Sequence, residues 1–269
     1  MKRTLTLLTA LALLVGCASA LAETEIIVFA AASMTETLTT IAERYMTDHP
    51  DVAVTCNFDS SGTLKTQIQE GAACDLFISA ARKQMDQLDI DASPAVNTEG
   101  LDFVDRATRL DLLENRVTLA VPEGNPRGID SFDRLAALLK EGDVLLAIGN
   151  SDVPVGQYTQ KLFDYYGIDE AAVAGKLTYG SNVKEVTAQV AENSVDCGII
   201  YGTDAFSAGL EVVDEATEAM CGGRVVYPAA VLKTASNSMD AWDFLAYLQT
   251  AESAEVFARV GFTPLTGAR

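Results

Sequence analysis

Ile26-Ile27-Val28-Phe29-Ala30-Ala31-Ala32-Ser33-Met34-Thr35-Glu36 is the stretch whose reading decides the fold. Its first half is a short apolar run rich in β-branched residues. Its second half opens a segment in which Met34, Leu38, Ile41 and Tyr45 recur at helical spacing. A buried strand that runs straight into an amphipathic helix is the unit of a parallel sheet covered by helices. Ser33 followed three residues later by Glu36 predicts a capping box at the helix start.

The unit recurs along the chain. Val52 to Phe58 leads into Asp59-Ser60-Ser61-Gly62-Thr63, where Ser61 is expected to cap a helix carrying Leu64 and Ile68. Val144 to Ile148 leads into Gly149-Asn150-Ser151-Asp152-Val153-Pro154-Val155-Gly156, with Pro154 suited to an opening turn. Leu177 to Tyr179 leads into Gly180-Ser181-Asn182-Val183-Lys184-Glu185, a second capping box from Asn182 to Glu185. Further strands are expected at Leu76 to Ser79, Arg116 to Val121, Gly198 to Tyr201, Glu211 to Val213 and Val225 to Leu232. The fold class is therefore α/β, with mostly parallel sheets flanked by helices. Strands near 116–121 and 224–232 would carry the chain across and back, so two lobes joined by a two-strand hinge are expected: lobe I from 23–118 and 227–269, lobe II from 119–226.

Among 269 residues, 38 Asp and Glu face 19 Lys and Arg, with one His, for a net charge of −19. So negative a surface gains nothing from nucleic acid or anionic lipid. The single histidine, His49 beside Pro50, is expected at the surface. Residues 1–22 read as a signal peptide: Lys2 and Arg3 precede an apolar run from Leu5 to Val15 that is too short to span a bilayer. Cleavage after Ala20-Leu21-Ala22 is preferred over a lipid on Cys17, which would leave a tether of about eight residues before the first strand. A periplasmic protein is expected, with a Cys17-anchored lipoprotein as the alternative. In that oxidising compartment two disulfides are expected; the four cysteines can pair in three ways that sequence alone does not decide, with Cys56–Cys74 and Cys197–Cys221 preferred.

Four helix N-termini thus open directly after strand C-terminal ends, the edge where open α/β sheets bind ligands. Each offers unpaired N–H groups and the positive end of a helix dipole, which suits an anion. Tyr201, ending Gly198-Ile199-Ile200-Tyr201, adds a phenol at the same edge.

The runs Val28-Phe29-Ala30-Ala31-Ala32-Ser33-Met34-Thr35, Gly71-Ala72-Ala73-Cys74-Asp75-Leu76-Phe77-Ile78-Ser79-Ala80, Val153-Pro154-Val155-Gly156-Gln157-Tyr158, Ile199-Ile200-Tyr201-Gly202-Thr203-Asp204-Ala205 and Val226-Tyr227-Pro228-Ala229-Ala230-Val231 resemble the periplasmic molybdate-binding proteins of ABC uptake systems. The resemblance covers residues 25–264 in order. It implies a two-lobed, type II-like periplasmic-binding fold that is no enzyme and needs no cofactor. The implied ligand is molybdate or tungstate, and the implied partner is an inner-membrane ABC permease that receives it from a monomer. The oxyanion would be held, without any cationic side chain, by the hydroxyls of Ser33, Ser61 and Tyr201 and the backbone amides of Val155 and Val183. Gly62 stands where that family often has serine and Val155 where it often has alanine; the first departure is expected to loosen the turn.

A cage of donors suits fully deprotonated molybdate and tungstate, while phosphate keeps a proton and needs an acceptor that the matched positions lack. Two other classes are weaker. Ser181-Asn182-Val183-Lys184 fits the S-x-x-K pattern of acyl-serine hydrolases but has no partner motif. An iron(III) binder of the same plan would use paired tyrosines, and the one adjacent pair, Tyr165-Tyr166, falls within a helix and points two ways.

Overall fold

The computed structural model describes residues 24–141 and 144–265, so the expected signal peptide and Cys17 lie outside the described residues. In chain order the elements are β1 (Thr24–Ala31), a 3-10 turn (Ala32–Met34), α1 (Thr35–Asp48), β2 (Val52–Asp59), α2 (Ser61–Gln69), β3 (Leu76–Ile78), α3 (Arg82–Asp86), β4 (Leu110–Asn115) and β5 (Val117–Val121). There follow α4 (Phe132–Glu141), β6 (Leu146–Gly149), α5 (Pro154–Tyr166), α6 (Glu170–Val173), β7 (Leu177–Gly180), α7 (Val183–Ala191), β8 (Cys197–Tyr201) and α8 (Gly202–Ala208). The chain ends with β9 (Glu211–Glu215), α9 (Glu218–Cys221), β10 (Val225–Val231), α10 (Ser238–Tyr247), α11 (Ala251–Arg259) and β11 (Thr263–Pro264).

Two sheets result, ordered β11-β4-β10-β3-β1-β2 and β7-β6-β8-β5-β9. The strands followed by helices pair in parallel, β2-β1-β3 in one sheet and β7-β6-β8 in the other. The strands beside the crossings, β4, β10 and β5, pair antiparallel, so each sheet is mixed. Only Arg116 separates β4 of the first sheet from β5 of the second. The chain returns between Glu215 and Val225. β4 has no expected counterpart because Asp111 and Glu114 interrupt its apolar pattern, while Leu112 and Leu113 are buried.

A buried carboxylate ties the first sheet together. Asp75 accepts the N–H of Ile27 at 2.8 Å on one oxygen and those of Ser236 and Asn237 at 2.7 and 3.4 Å on the other. Three backbone donors offset its desolvation and fix β1 and the approach to α10 beside β3. The rings of Tyr45 and Phe244 meet edge-on at 4.9 Å, seating α10 against α1. His49 caps α1 and is exposed, its ring stacked on Tyr45 at 4.1 Å.

The expected disulfides are absent: Cys56, Cys74, Cys197 and Cys221 are all free thiols. β1 explains the first pair, because Val28 stands between Cys56 on β2 and Leu76 on β3. Residues two strands apart are about 10 Å distant, beyond the 4.4–6.8 Å Cα separation that a disulfide spans. Burial pushes the thiols of Cys56 and Cys221 up to about 11 and those of Cys74 and Cys197 higher still. They serve as small apolar residues.

Candidate functional site

Ser33, Ser61, Val155, Val183 and Tyr201, from five separate strand ends, line one small cavity between the two sheets. The cavity is nearly closed: its free volume of about 10 Å³ is what a single water molecule needs.

The local chemistry differs from the expected capping. Ser33 lies inside the 3-10 turn and caps nothing; α1 starts at Thr35, after Met34, without a side-chain cap. Its Oγ instead lies 2.9 Å from the Tyr227 hydroxyl, and that hydroxyl accepts a hydrogen bond from Asn115 Nδ2 at 3.1 Å. Glu36, the expected capping partner, is drawn away to Lys184 at 2.7 Å. In α2 the cap is Ser60, whose Oγ accepts the Thr63 N–H at 3.1 Å. Ser61, fully buried one residue later, accepts the Ala80 N–H at 2.9 Å, which leaves its own proton for the cavity. At α7 the Asn182 side chain caps Glu185 N–H as expected, but the Glu185 carboxylate returns to the N–H of Ser181 rather than of Asn182. The N–H groups of Val155, next to Pro154 in the first turn of α5, and of Val183, first in α7, have no partner within their helices.

Tyr201 is the most telling residue. It is 1% exposed, and its hydroxyl has no hydrogen-bond partner among the described residues. Its ring is held edge-on by Tyr227 at 5.9 Å and Tyr158 at 6.4 Å. Burial raises Tyr201 and Tyr227 well above an ordinary phenol, with each other's proximity adding for Tyr201, so both stay protonated donors.

Two participants escaped the sequence reading. Tyr227 is a polar ring in an otherwise apolar seven-residue strand, and that contrast is the signal that could have found it. Asp59 also lines the cavity, so the wall is not made of donors alone. Its Oδ1 accepts the Ser60 N–H at 2.7 Å and Asn182 Nδ2 at 3.3 Å.

No Lys or Arg lines the cavity. Lys184, the nearby cation in sequence, is tied to Glu36 and lies 3.3 Å from the buried carboxylate of Asp204. Burial would lower its pKa, but Asp204 and Glu36 outweigh that and raise it, so it stays charged and cannot act as a base for Ser181. Tyr165 and Tyr166 meet each other near the C-terminus of α5 and are not part of the cavity wall.

The lobes touch directly around this site. Asn182 reaches Asp59, Lys184 reaches Glu36, and Asn115 donates to Thr203 at 2.9 Å. At Gly62, a Cβ would sit 2.3 Å from the carbonyl oxygen of Asp152, on the loop before α5. The expectation that Gly62 loosens its turn is therefore replaced: glycine lets the two lobes approach.

The sequence pattern of the bacterial extracellular solute-binding proteins matches residues 26–263. The chain belongs to this family. The molybdate-binding protein ModA of Escherichia coli is 36% identical to this solute-binding protein over 246 residues, 90% of each chain. A Bacillus subtilis protein, named as an ABC transporter substrate-binding lipoprotein, is 33% identical over 95% of each chain. The periplasmic molybdate-binding protein of Azotobacter vinelandii superposes with a TM-score of 0.73 at 18% identity, covering 88% of this chain and 98% of its own, and so shares the fold. The resemblance drawn from the motifs is borne out, and the two-lobed α/β solute-binding fold with it. Membership of the family gives the chain a solute-binding role.

Proposed function

We propose that this solute-binding protein captures molybdate or tungstate outside the cytoplasm and delivers it, as a monomer without catalytic activity, to the permease of an ABC importer. The observation that carries the reading is the buried, unpartnered hydroxyl of Tyr201, which opens on the cavity that Ser33, Ser61, Val155 and Val183 share. A buried polar group without a partner costs about 1–3 kcal/mol, a cost that an anion's acceptor oxygens would remove. Tyr227, already accepting from Asn115, can give its proton to Ser33 Oγ and leave the serine proton for the ligand.

The ligand is a dianion and the chain carries −19, yet no cation is needed at the site. Surface carboxylates are screened beyond about 8 Å, while enclosed dipoles act at contact distance. We place the lobe boundaries by sheet membership, with crossings at Arg116 and between Glu215 and Val225, a few residues before those expected from sequence. Asp59 disfavours a second negative charge and could accept a proton from a protonated oxyanion, so phosphate belongs among the competitors tested. Native mass spectrometry of the protein offered equal molybdate, tungstate, sulfate and phosphate decides the ligand. A single molybdate or tungstate adduct is expected; a sulfate or phosphate adduct in its place would overturn the reading.

A further inference from the structure

A second cavity, about 540 Å³ on the same measure, shares no lining residue with the first. Both meet the turn that opens α5, one at Val153 to Val155 and the other at Gly149 and Gly156. Its walls come from both lobes and the return crossing: Arg82 and Lys83 of α3, Tyr158 and Lys161 of α5, and Arg224 after α9.

The charge of this wall runs against the rest of the chain. Four cations line it against one carboxylate, Glu170, whereas acids outnumber bases 38 to 19 in the whole sequence. Arg82 is paired with Asp111 at 2.5 Å and Arg224 with Glu114. Lys83 and Lys161 have no carboxylate partner among the described residues. Lys161 is nonetheless held in place: its stem runs past Gly222, where a Cβ would lie 3.4 Å from Cδ, and its Nζ sits 4.9 Å from the Tyr158 ring centre. Tyr158 is 6% exposed and part of the cavity wall. Burial raises that phenol, so it stays a donor.

We propose that this cavity is a second ligand site, for a small organic anion bearing a carboxylate or phosphate group, held by Lys83, Lys161 and the Tyr158 hydroxyl. Its volume falls within the roughly 300–1,000 Å³ of small-molecule sites. Ile148 and Val226 supply an apolar wall for the organic part. Because both lobes contribute, occupancy here and lobe contact support each other, and any coupling to the first site is reciprocal. The proposal does not rest on the oxyanion reading.

Calorimetric titration with citrate and, separately, 3-phosphoglycerate, each with and without saturating molybdate, tests it. At least one should bind 1:1; because 3-phosphoglycerate also carries a carboxylate, only its binding more tightly than citrate would assign the phosphate as head group. Binding should weaken roughly tenfold in the double variant Lys83→Gln/Lys161→Gln and about threefold in Tyr158→Phe. The molybdate affinity of the double variant should stay within about twofold of wild type. Absence of binding by both anions, unchanged binding in the double variant, or simple competition with molybdate would each overturn the proposal.

Discussion

Replacing Tyr201 by phenylalanine separates a binding role from a packing role, because the two make opposite demands on the hydroxyl. The ring contacts with Tyr158 and Tyr227 survive the change, and only the unpartnered oxygen is lost. Without ligand, the variant sheds a buried unsatisfied group worth about 1–3 kcal/mol and should be more stable. For a domain of this size each kcal/mol moves the melting temperature by about 2–4 °C. With ligand, it loses a hydrogen bond to a charged acceptor worth about 1.5–3 kcal/mol, a roughly tenfold to hundredfold loss of affinity. Differential scanning calorimetry of the ligand-free protein and isothermal titration with molybdate read the two halves. A higher melting temperature together with weaker binding is expected. Unchanged molybdate affinity in Tyr201→Phe would refute the assignment of this hydroxyl to the ligand, whatever the melting temperature does.

Asp59→Asn keeps an acceptor for Ser60 and Asn182 but removes a like charge from the cavity wall, so molybdate should bind roughly tenfold tighter by titration. In Gly62→Ser the new Cβ meets the Asp152 carbonyl and pushes the lobes about 1 Å further apart, so molybdate affinity should fall roughly tenfold; wild-type affinity would mean that the loop before α5 yields freely. Burial raises the buried carboxyl of Asp204 from 3.8 to about 6 against the pull of Lys184, so between those values the folded chain holds a proton that the unfolded chain has released. Its contribution to stability therefore falls as pH rises from about 4 to about 6 and is level above, by roughly 3 kcal/mol. The melting temperature of Asp204→Asn relative to wild type should rise across that window and then stay flat, and a constant difference would contradict the raised value.

The strand-to-helix units were legible because their strands are apolar throughout and their helices open at recognisable turns. Ser33, Ser61, Val155, Val183 and Tyr201 converge on one cavity because each follows or ends a strand at the C-terminal edge of its own sheet, and the two edges face each other. What each serine bonds to was not legible. Ser33 and Ser61 follow the local pattern of caps, yet Tyr227 and Ala80, which are 194 and 19 residues away, take up their oxygens. The cysteine pairing failed for a related reason: Cys56 and Cys74 are near in sequence, but β1 inserts between their strands. Strand order is a long-range property, and β4, masked by Asp111 and Glu114, shows that a strand buried between neighbours can lack the expected alternation.

Anomalous diffraction at the molybdenum edge, from crystals grown with molybdate, tests the central claim most directly, since it locates the metal of the oxyanion without assumption about its partners. The account predicts one strong peak inside the smaller cavity, with oxygens at hydrogen-bond distance from the hydroxyls of Ser33, Ser61 and Tyr201 and the amides of Val155 and Val183. A peak beside Lys161 and Arg82 in the larger cavity, or no peak at all, would contradict it.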